Sequence, residues 1–138
     1  MIRKASAFIT RDVGDRRELL VFTHRDVPQA GIQIPSGTVD DDEEFDAAVL
    51  REVWEESGLT EFAAMRVLGD EHDTTDTGKP RWRRFYHLTV AAPVPDTWSR
   101  AADGEIFEFA WVDVTTPIDL HRLFHGGWVR FLPLILSD

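Results

Sequence analysis

The 138-residue chain predicts one domain of mixed helix and strand, either α+β or α/β, on three observations. Short alternating or wholly apolar runs lie on both sides of a single amphipathic helix. That helix is bracketed by acidic residues before it and a glycine after it. A hydrophobic content of 43%, with five Trp and nine Phe, is enough to fill one core spanning 1–138. The absence of cysteine excludes disulfides, thiolate metal sites and a cysteine nucleophile. The first residues, MIRKASAFITRD, lack a long apolar stretch, and no segment reaches the ~18 apolar residues of a membrane span. A soluble, cytoplasmic protein without membrane contact is the expectation.

In chain order, 4–10 and 18–23 read as two strands. Ala5, Ala7 and Ile9 alternate with Ser6, Phe8 and Thr10 in the first, and the second holds the apolar run Leu19-Leu20-Val21-Phe22. Asp12-Val13-Gly14-Asp15 between them is a turn signal, so the pair predicts a hairpin. His24-Arg25-Asp26 spells the catalytic-loop tripeptide of protein kinases, but no Gly-rich loop or Asp-Phe-Gly accompanies it in so short a chain. Ile32 and Ile34 flank Gln33 as in a short strand that Pro35 ends.

The helix lies within the stretch 37–59, GTVDDDEEFDAAVLREVWEESGL. Asp40, Asp41 and Asp42 offer N-caps and favourable charge at the positive end of its dipole, and Gly58 sits where a left-handed C-terminal cap belongs. The helical period gathers Ala47, Val49, Leu50, Val53 and Trp54 into one apolar arc, expected to pack on a sheet. It places Glu52, Glu55 and Glu56 within one turn of each other on another side. Three glutamates on a helix read most simply as a solvated acidic face with an Arg51–Glu55 salt bridge. The sharper reading is a hard, all-oxygen site for Mg²⁺ or Mn²⁺, because neighbouring carboxylates repel and a divalent cation relieves that repulsion.

After the helix, 62–68 and 82–92 read as long strands joined by a polar connection, 69–80, and 106–112 as a further strand opened by Asp103-Gly104-Glu105. The segment 93–100 reads as a loop, with no evident purpose for Trp98. Alternation in 82–88 puts Trp82, Arg84, Tyr86 and Leu88 on one face. Arg84 and Tyr86 there could clamp phosphate and stack on a base, or form an edge strand with aromatic packing and charge protection. The segments 118–124 and 128–136 look helical, split by Gly126-Gly127 and strained by Pro133. His121 and His125, four apart, have metal-ligand spacing, although surface or packing roles are the commoner use of such a pair.

The net charge of −10 is concentrated: 37–59 carries nine acidic residues and one Arg, while the rest of the chain has sixteen acidic against fourteen basic. A chain without a general basic surface has no electrostatic pull on polymeric nucleic acid, so a small phosphorylated substrate is the expected partner. A homodimer is left open.

Gly37, Glu43, Arg51-Glu52, Val53, Glu55-Glu56, Gly58 and Leu59 fit the pattern GX5EX7REUXEEXGU (U, a bulky apolar residue) without a departure. The chain therefore resembles the Nudix hydrolase (MutT-like) family. The resemblance implies a single-domain α/β/α sandwich around a central mixed β-sheet. It also implies hydrolysis of a diphosphate linkage in a nucleoside diphosphate joined to another group, dependent on Mg²⁺ with Mn²⁺ able to substitute. By the same resemblance, Gly37 (through its carbonyl), Glu52, Glu55 and Glu56 are the metal ligands. Glu52 is also a base or shared ligand, and Arg51 orients the glutamates. Glu43 orients Arg51 and the loop rather than binding metal, and Arg25 ends a strand where it could touch a phosphate. A carboxylate in the loop before the Trp111 strand serves as an extra ligand or general base, with Glu105 the first choice and Glu108 and Asp103 behind it. Ser36 stands where many relatives have a glycine, a mild departure. The markers that separate substrate subgroups are absent: Thr75 and Asp76 occupy the positions of the downstream Pro and Tyr for ADP-ribose and dinucleoside polyphosphates. Two other readings remain, a nucleotide sensor without catalysis and an RNA 5′-end pyrophosphohydrolase, the latter kept by the Arg81–Arg84 cluster.

Overall fold

The computed structural model describes residues 1–115 and 127–136, with side chains at all of these except 127–129. Seven strands form one mixed sheet: β1 (Ile2–Val13), β2 (Arg16–His24), β3 (Ser36–Thr38), β4 (Phe62–Thr74), β5 (Pro80–Val90), β6 (Thr97–Ala102) and β7 (Glu105–Asp113). The order is β4-β5-β1-β2-β7-β6, with β3 paired to β1. β1 and β5 run parallel and the other pairs are antiparallel. One edge of β1 is shared. Its first half, Lys4–Ser6, holds β3 and its second half, Thr10–Val13, holds β2. The 18–23 run therefore lies at the centre of the sheet.

Both faces of the sheet are covered, which explains why 19–22 reads as continuously apolar rather than alternating. Helix α1 (Phe45–Ser57) lies on one face over Ala5, Ala7, Ile9, Leu20, Phe22, Tyr86 and Leu88. On the other face a 3-10 helix, Gly127–Ile135, packs Phe131, Leu132 and Ile135 against Phe8, Leu19, Val21 and Phe85. The 128–136 segment is thus helical as expected, but of the tighter kind. Pro133 within it has no N–H to give to an α-helical ladder. The 118–124 helix, His121 and His125 lie outside the described residues. Among the described residues no helix is long and apolar enough to cross a membrane.

Four expectations are corrected. The polar connection 69–80 is mostly strand: β4 continues to Thr74 and β5 starts at Pro80. Cross-strand pairs hold this ribbon in place of apolar burial. Arg84 makes two bonds to Asp70 (2.8 and 3.0 Å), Arg81 two to Asp73 (2.8 and 2.7 Å), and the Trp82 indole donates to Asp70. The 93–100 loop contains the start of β6, an edge strand in which Trp98, Arg100 and Ala102 alternate inward. Trp98 stacks on Phe109 at 4.9 Å and donates to the Ser57 carbonyl, while Arg100 donates to the Glu55 carbonyl. α1 has no basic residue in its own last turn, so β6 supplies both donor and positive charge to the helix C-terminus.

The helix N-cap is Glu44 and has no side-chain cap bond, so Asp40–Asp42 do not cap it. Those residues form a loop whose carbonyls receive Arg3, at 2.7 Å on Asp40 and 3.1 Å on Glu43. The buried arc of α1 is also rotated from the expected one. Phe45, Ala48, Val49 and Val53 are buried, whereas Ala47 is exposed and Leu50 and Trp54 are 40% and 50% exposed. That rotation brings Glu52 and Glu56 to the sheet edge. Gly58 does adopt the left-handed conformation, φ 84°, and donates its N–H to Trp54 as a C-terminal cap.

Candidate active site

The site is the junction of β3 with α1, and each residue of β3 serves it. Ser36 donates its backbone N–H to Glu56 Oε1 at 3.0 Å. Gly37 lies so close to Glu52 that a Cβ on it would stand 2.0 Å from the Glu52 carboxyl carbon. The Thr38 carbonyl accepts from Arg51, and its hydroxyl accepts from Lys4 Nζ at 2.8 Å.

Arg51 is the hub. It makes two 2.8 Å bonds to Glu43 and reaches Glu52 at 2.9 Å and Glu55 at 3.2 Å. Planar, bidentate geometry of this kind needs arginine rather than lysine. The Arg51 hydrogen bonds hold the Glu43 carboxyl down at about 2. Glu43 also accepts from the Asp40 N–H, tying the 38–44 loop to the helix. Glu43 thus touches Arg51 and the loop.

The other carboxylates are under opposite pressure. Glu56 is 4% exposed, and burial, followed by the charges of Glu52, Asp103 and Glu55, pushes its carboxyl up to about 8 against the single Ser36 bond. Burial also raises Glu52, and the nearby charges of Glu55 and Asp103 add to this while Arg51 opposes it. Among the described residues no three His, Asp or Glu side chains already stand around one point as a metal cluster. The donor chemistry nevertheless fits a hard divalent cation. Glu52 and Glu56 are poorly solvated carboxyls whose ionised forms are disfavoured chiefly by burial, and such an ion would favour those forms.

Outside the helix, the charge of Asp103 adds to the raising of Glu52 and Glu56. Asp103 and Gly104 form the β6–β7 turn with φ of 53° and 75°, the two left-handed residues of a tight hairpin, and Asp is one of the few side chains tolerated there. Glu105 on β7 is instead hydrogen-bonded to His24 at 3.1 Å. Glu108 lies 3.4 Å from Arg25, whose guanidinium also donates to Ser99, so Arg25 is engaged with β6 and β7 rather than with Glu52 or Glu56. An Asp-Gly pair marks a tight hairpin turn, and a hairpin requires a strand before it, here β6, as well as the one after it.

Arg84 and Tyr86 do share a face with Trp82 and Leu88, but it is the face that α1 covers. Tyr86 is fully buried and its hydroxyl donates to Asp46, while Arg84 pairs with Asp70 and stacks 4.7 Å from the Phe45 ring. Neither is free to clamp a base. Tyr86→Phe is expected to cost about 1 kcal/mol of stability in denaturant unfolding, the net value of one hydrogen bond, and to leave KM unchanged.

The family model for the NUDIX domain matches residues 2–132, and the chain belongs to that family. It is a pyrophosphohydrolase of the Nudix type. No curated protein matches it. Among solved structures it is similar to a C. elegans Ap4A hydrolase in a binary complex, at 18% identity and TM-score 0.72, covering 96% of this chain and 93% of that one. It is also similar to the NUDIX domain of Shewanella oneidensis NrtR complexed with ADP ribose, at 14% identity and TM-score 0.69, covering 99% and 84%. The MutT protein of Methanosarcina mazei Go1 is similar at 22% identity and TM-score 0.66, covering 97% and 91%. At these identities the likeness is one of fold.

Proposed function

We propose that the chain hydrolyses a diphosphate linkage in a small nucleotide derivative, a nucleoside diphosphate joined to another group. We further propose that it does so with Mg²⁺, replaceable by Mn²⁺, held by Glu52, Glu55, Glu56 and the Gly37 carbonyl. The observation that carries this reading is the placing of Glu52 and Glu56 against β3, where burial first and then the charges of Glu55 and Asp103 disfavour their ionised forms, which a divalent cation would favour. The ion supplies positive charge that screens the phosphate oxygens and favours deprotonation of the attacking water. Arg51 keeps Glu52 and Glu55 oriented, and Glu43 keeps Arg51 in place. Glu52 or Asp103 takes the proton, since magnesium alone lowers the pKa of water too little at neutral pH. The nucleotides named for two of the structural neighbours, Ap4A and ADP ribose, are of the substrate class proposed here.

The test is release of phosphate, pyrophosphate or nucleoside monophosphate from a nucleotide panel with Mg²⁺ or Mn²⁺, wild type beside Glu52→Gln. Cleavage should require the metal and fall by about 100-fold or more in the variant. Metal-dependent thermal stabilisation by a nucleotide without turnover would instead make the chain a sensor.

A further inference from the structure

We infer that Lys4 and Arg83 form a phosphate-binding subsite beside β3, which selects substrates carrying a further phosphate beyond the diphosphate that is cut. This rests on the hydrolase reading above and names the part of the substrate that the metal site does not hold.

Lys4 on β1 is in register with Thr38 on β3 and with Arg83 on β5, so the three stand in one row across the sheet. Two cations directly opposite each other in a sheet repel. The neighbouring arginines are neutralised, Arg81 by Asp73 and Arg84 by Asp70. Among the described residues neither Lys4 nor Arg83 has a carboxylate partner. Among those residues Lys4 bonds the Thr38 hydroxyl and Arg83 the Ser6 hydroxyl, each at 2.8 Å. Both side chains are partly buried. Burial, followed by the charges of Arg83 and Arg81, lowers the Lys4 ammonium against Glu52, and burial, followed by Arg81, lowers the Arg83 guanidinium against Glu71 and Asp73.

The row continues to Glu71 on β4, the register partner of Arg83, which is itself paired with Arg130, and at its other end it adjoins the carboxylates through β3. Thr38, which meets Lys4, follows Gly37, which meets Glu52; Ser36, whose register partner is Ser6, donates to Glu56. The charge of Glu52 is felt at Lys4. Successive strand residues point to opposite faces, so Lys4, Arg83 and Thr38 lie on the face away from α1, and β3 stands between them and the carboxylates. An ammonium, a guanidinium and two hydroxyls offer the donor set of a phosphate group. A chain of phosphates lying across β3 would meet metal on one side and these donors on the other. A nucleoside triphosphate or dinucleoside polyphosphate has that extra phosphate; a nucleotide sugar does not.

The experiment compares kcat/KM for a nucleoside triphosphate and a nucleotide sugar in wild type, Lys4→Met, Arg83→Met and the double variant. Lys79→Met, in the exposed β4–β5 turn, controls for net charge. Wild type should favour the triphosphate, and the ratio should fall at least tenfold in the double variant, through KM, while Lys79→Met keeps the wild-type ratio. Preference of wild type for the sugar, an unchanged ratio in the double variant, or an equal fall in Lys79→Met would each overturn the subsite. Calorimetric binding of inorganic tripolyphosphate, without nucleotide, separates this inference from the hydrolase reading. If wild type cleaves nothing but binds tripolyphosphate and the double variant does not, the subsite stands and the hydrolase reading falls. If the double variant binds it as tightly as wild type, the subsite falls whatever the activity. Removing mutually repelling cations should leave the melting temperature equal or higher, so loss of folding does not confuse the result.

Discussion

Gly37→Ala is expected to lower kcat by about 100-fold while changing stability by about 1 kcal/mol or less. Gly37 does not have a positive φ, so backbone freedom is not its role. Its role is space. An added Cβ would lie 2.0 Å from the Glu52 carboxyl carbon and 2.2 and 2.4 Å from its two oxygens. The atoms met are the far end of a flexible side chain, so Glu52 can swing away and the fold survives. Swinging away breaks the 2.9 Å bond with Arg51 and removes the carboxylate from the Glu56 and Asp103 neighbourhood. A misplacement of about 1 Å is enough for a loss of this order. Denaturant unfolding beside steady-state kinetics checks both halves. A large loss of stability would show that Glu52 cannot swing aside, and retained kcat would show that Glu52 does not need this position.

The same residues show why part of the site was legible and part was not. Gly37, Glu43, Arg51, Glu52, Glu56 and Gly58 are fixed by local spacing, and each makes a contact inside one loop and one helix. Contacts that cross the fold carry no such spacing. Asp103 reaches the cluster from a turn about fifty residues away, a relation created by the β7–β2 pairing. Lys4 and Arg83 become neighbours only through the parallel β1–β5 pair, and the sequence of each strand alone gives no hint of it. The face that α1 buries is set by such cross-fold contacts too. Leu50 and Trp54 are better apolar residues than Ala48, but orienting them inward would turn Glu52 and Glu56 away from β3. Trp54 instead lies under the Arg100 guanidinium, 5.7 Å from it. Chemistry at the junction overrides the hydrophobic pattern.

Glu56→Gln should stabilise the metal-free protein at alkaline pH while abolishing catalysis. The Glu56 carboxyl is raised from 4.5 to about 8, chiefly by burial. Folded protein therefore retains a proton that the unfolded chain releases, so stability from this group is complete below about 4.5 and is lost as pH rises through about 8. At pH 5 wild type and variant should melt at nearly the same temperature. Above pH 8 the wild type holds a buried charge with one hydrogen bond, a cost on the order of a few kcal/mol, and the variant should melt roughly 5 °C or more higher. Added Mg²⁺ should raise the wild-type melting temperature, since binding to the folded state alone stabilises it, and should leave the variant almost unmoved. Thermal melts across pH, with and without Mg²⁺, read all of these together. A variant less stable than wild type at high pH would show that another group already neutralises Glu56. Equal Mg²⁺ stabilisation of both proteins would remove Glu56 from the metal site. The expected pattern has one physical origin: a carboxylate buried beside Glu52 and Asp103 is a liability to the empty protein, and its negative charge becomes favourable only with a cation beside it.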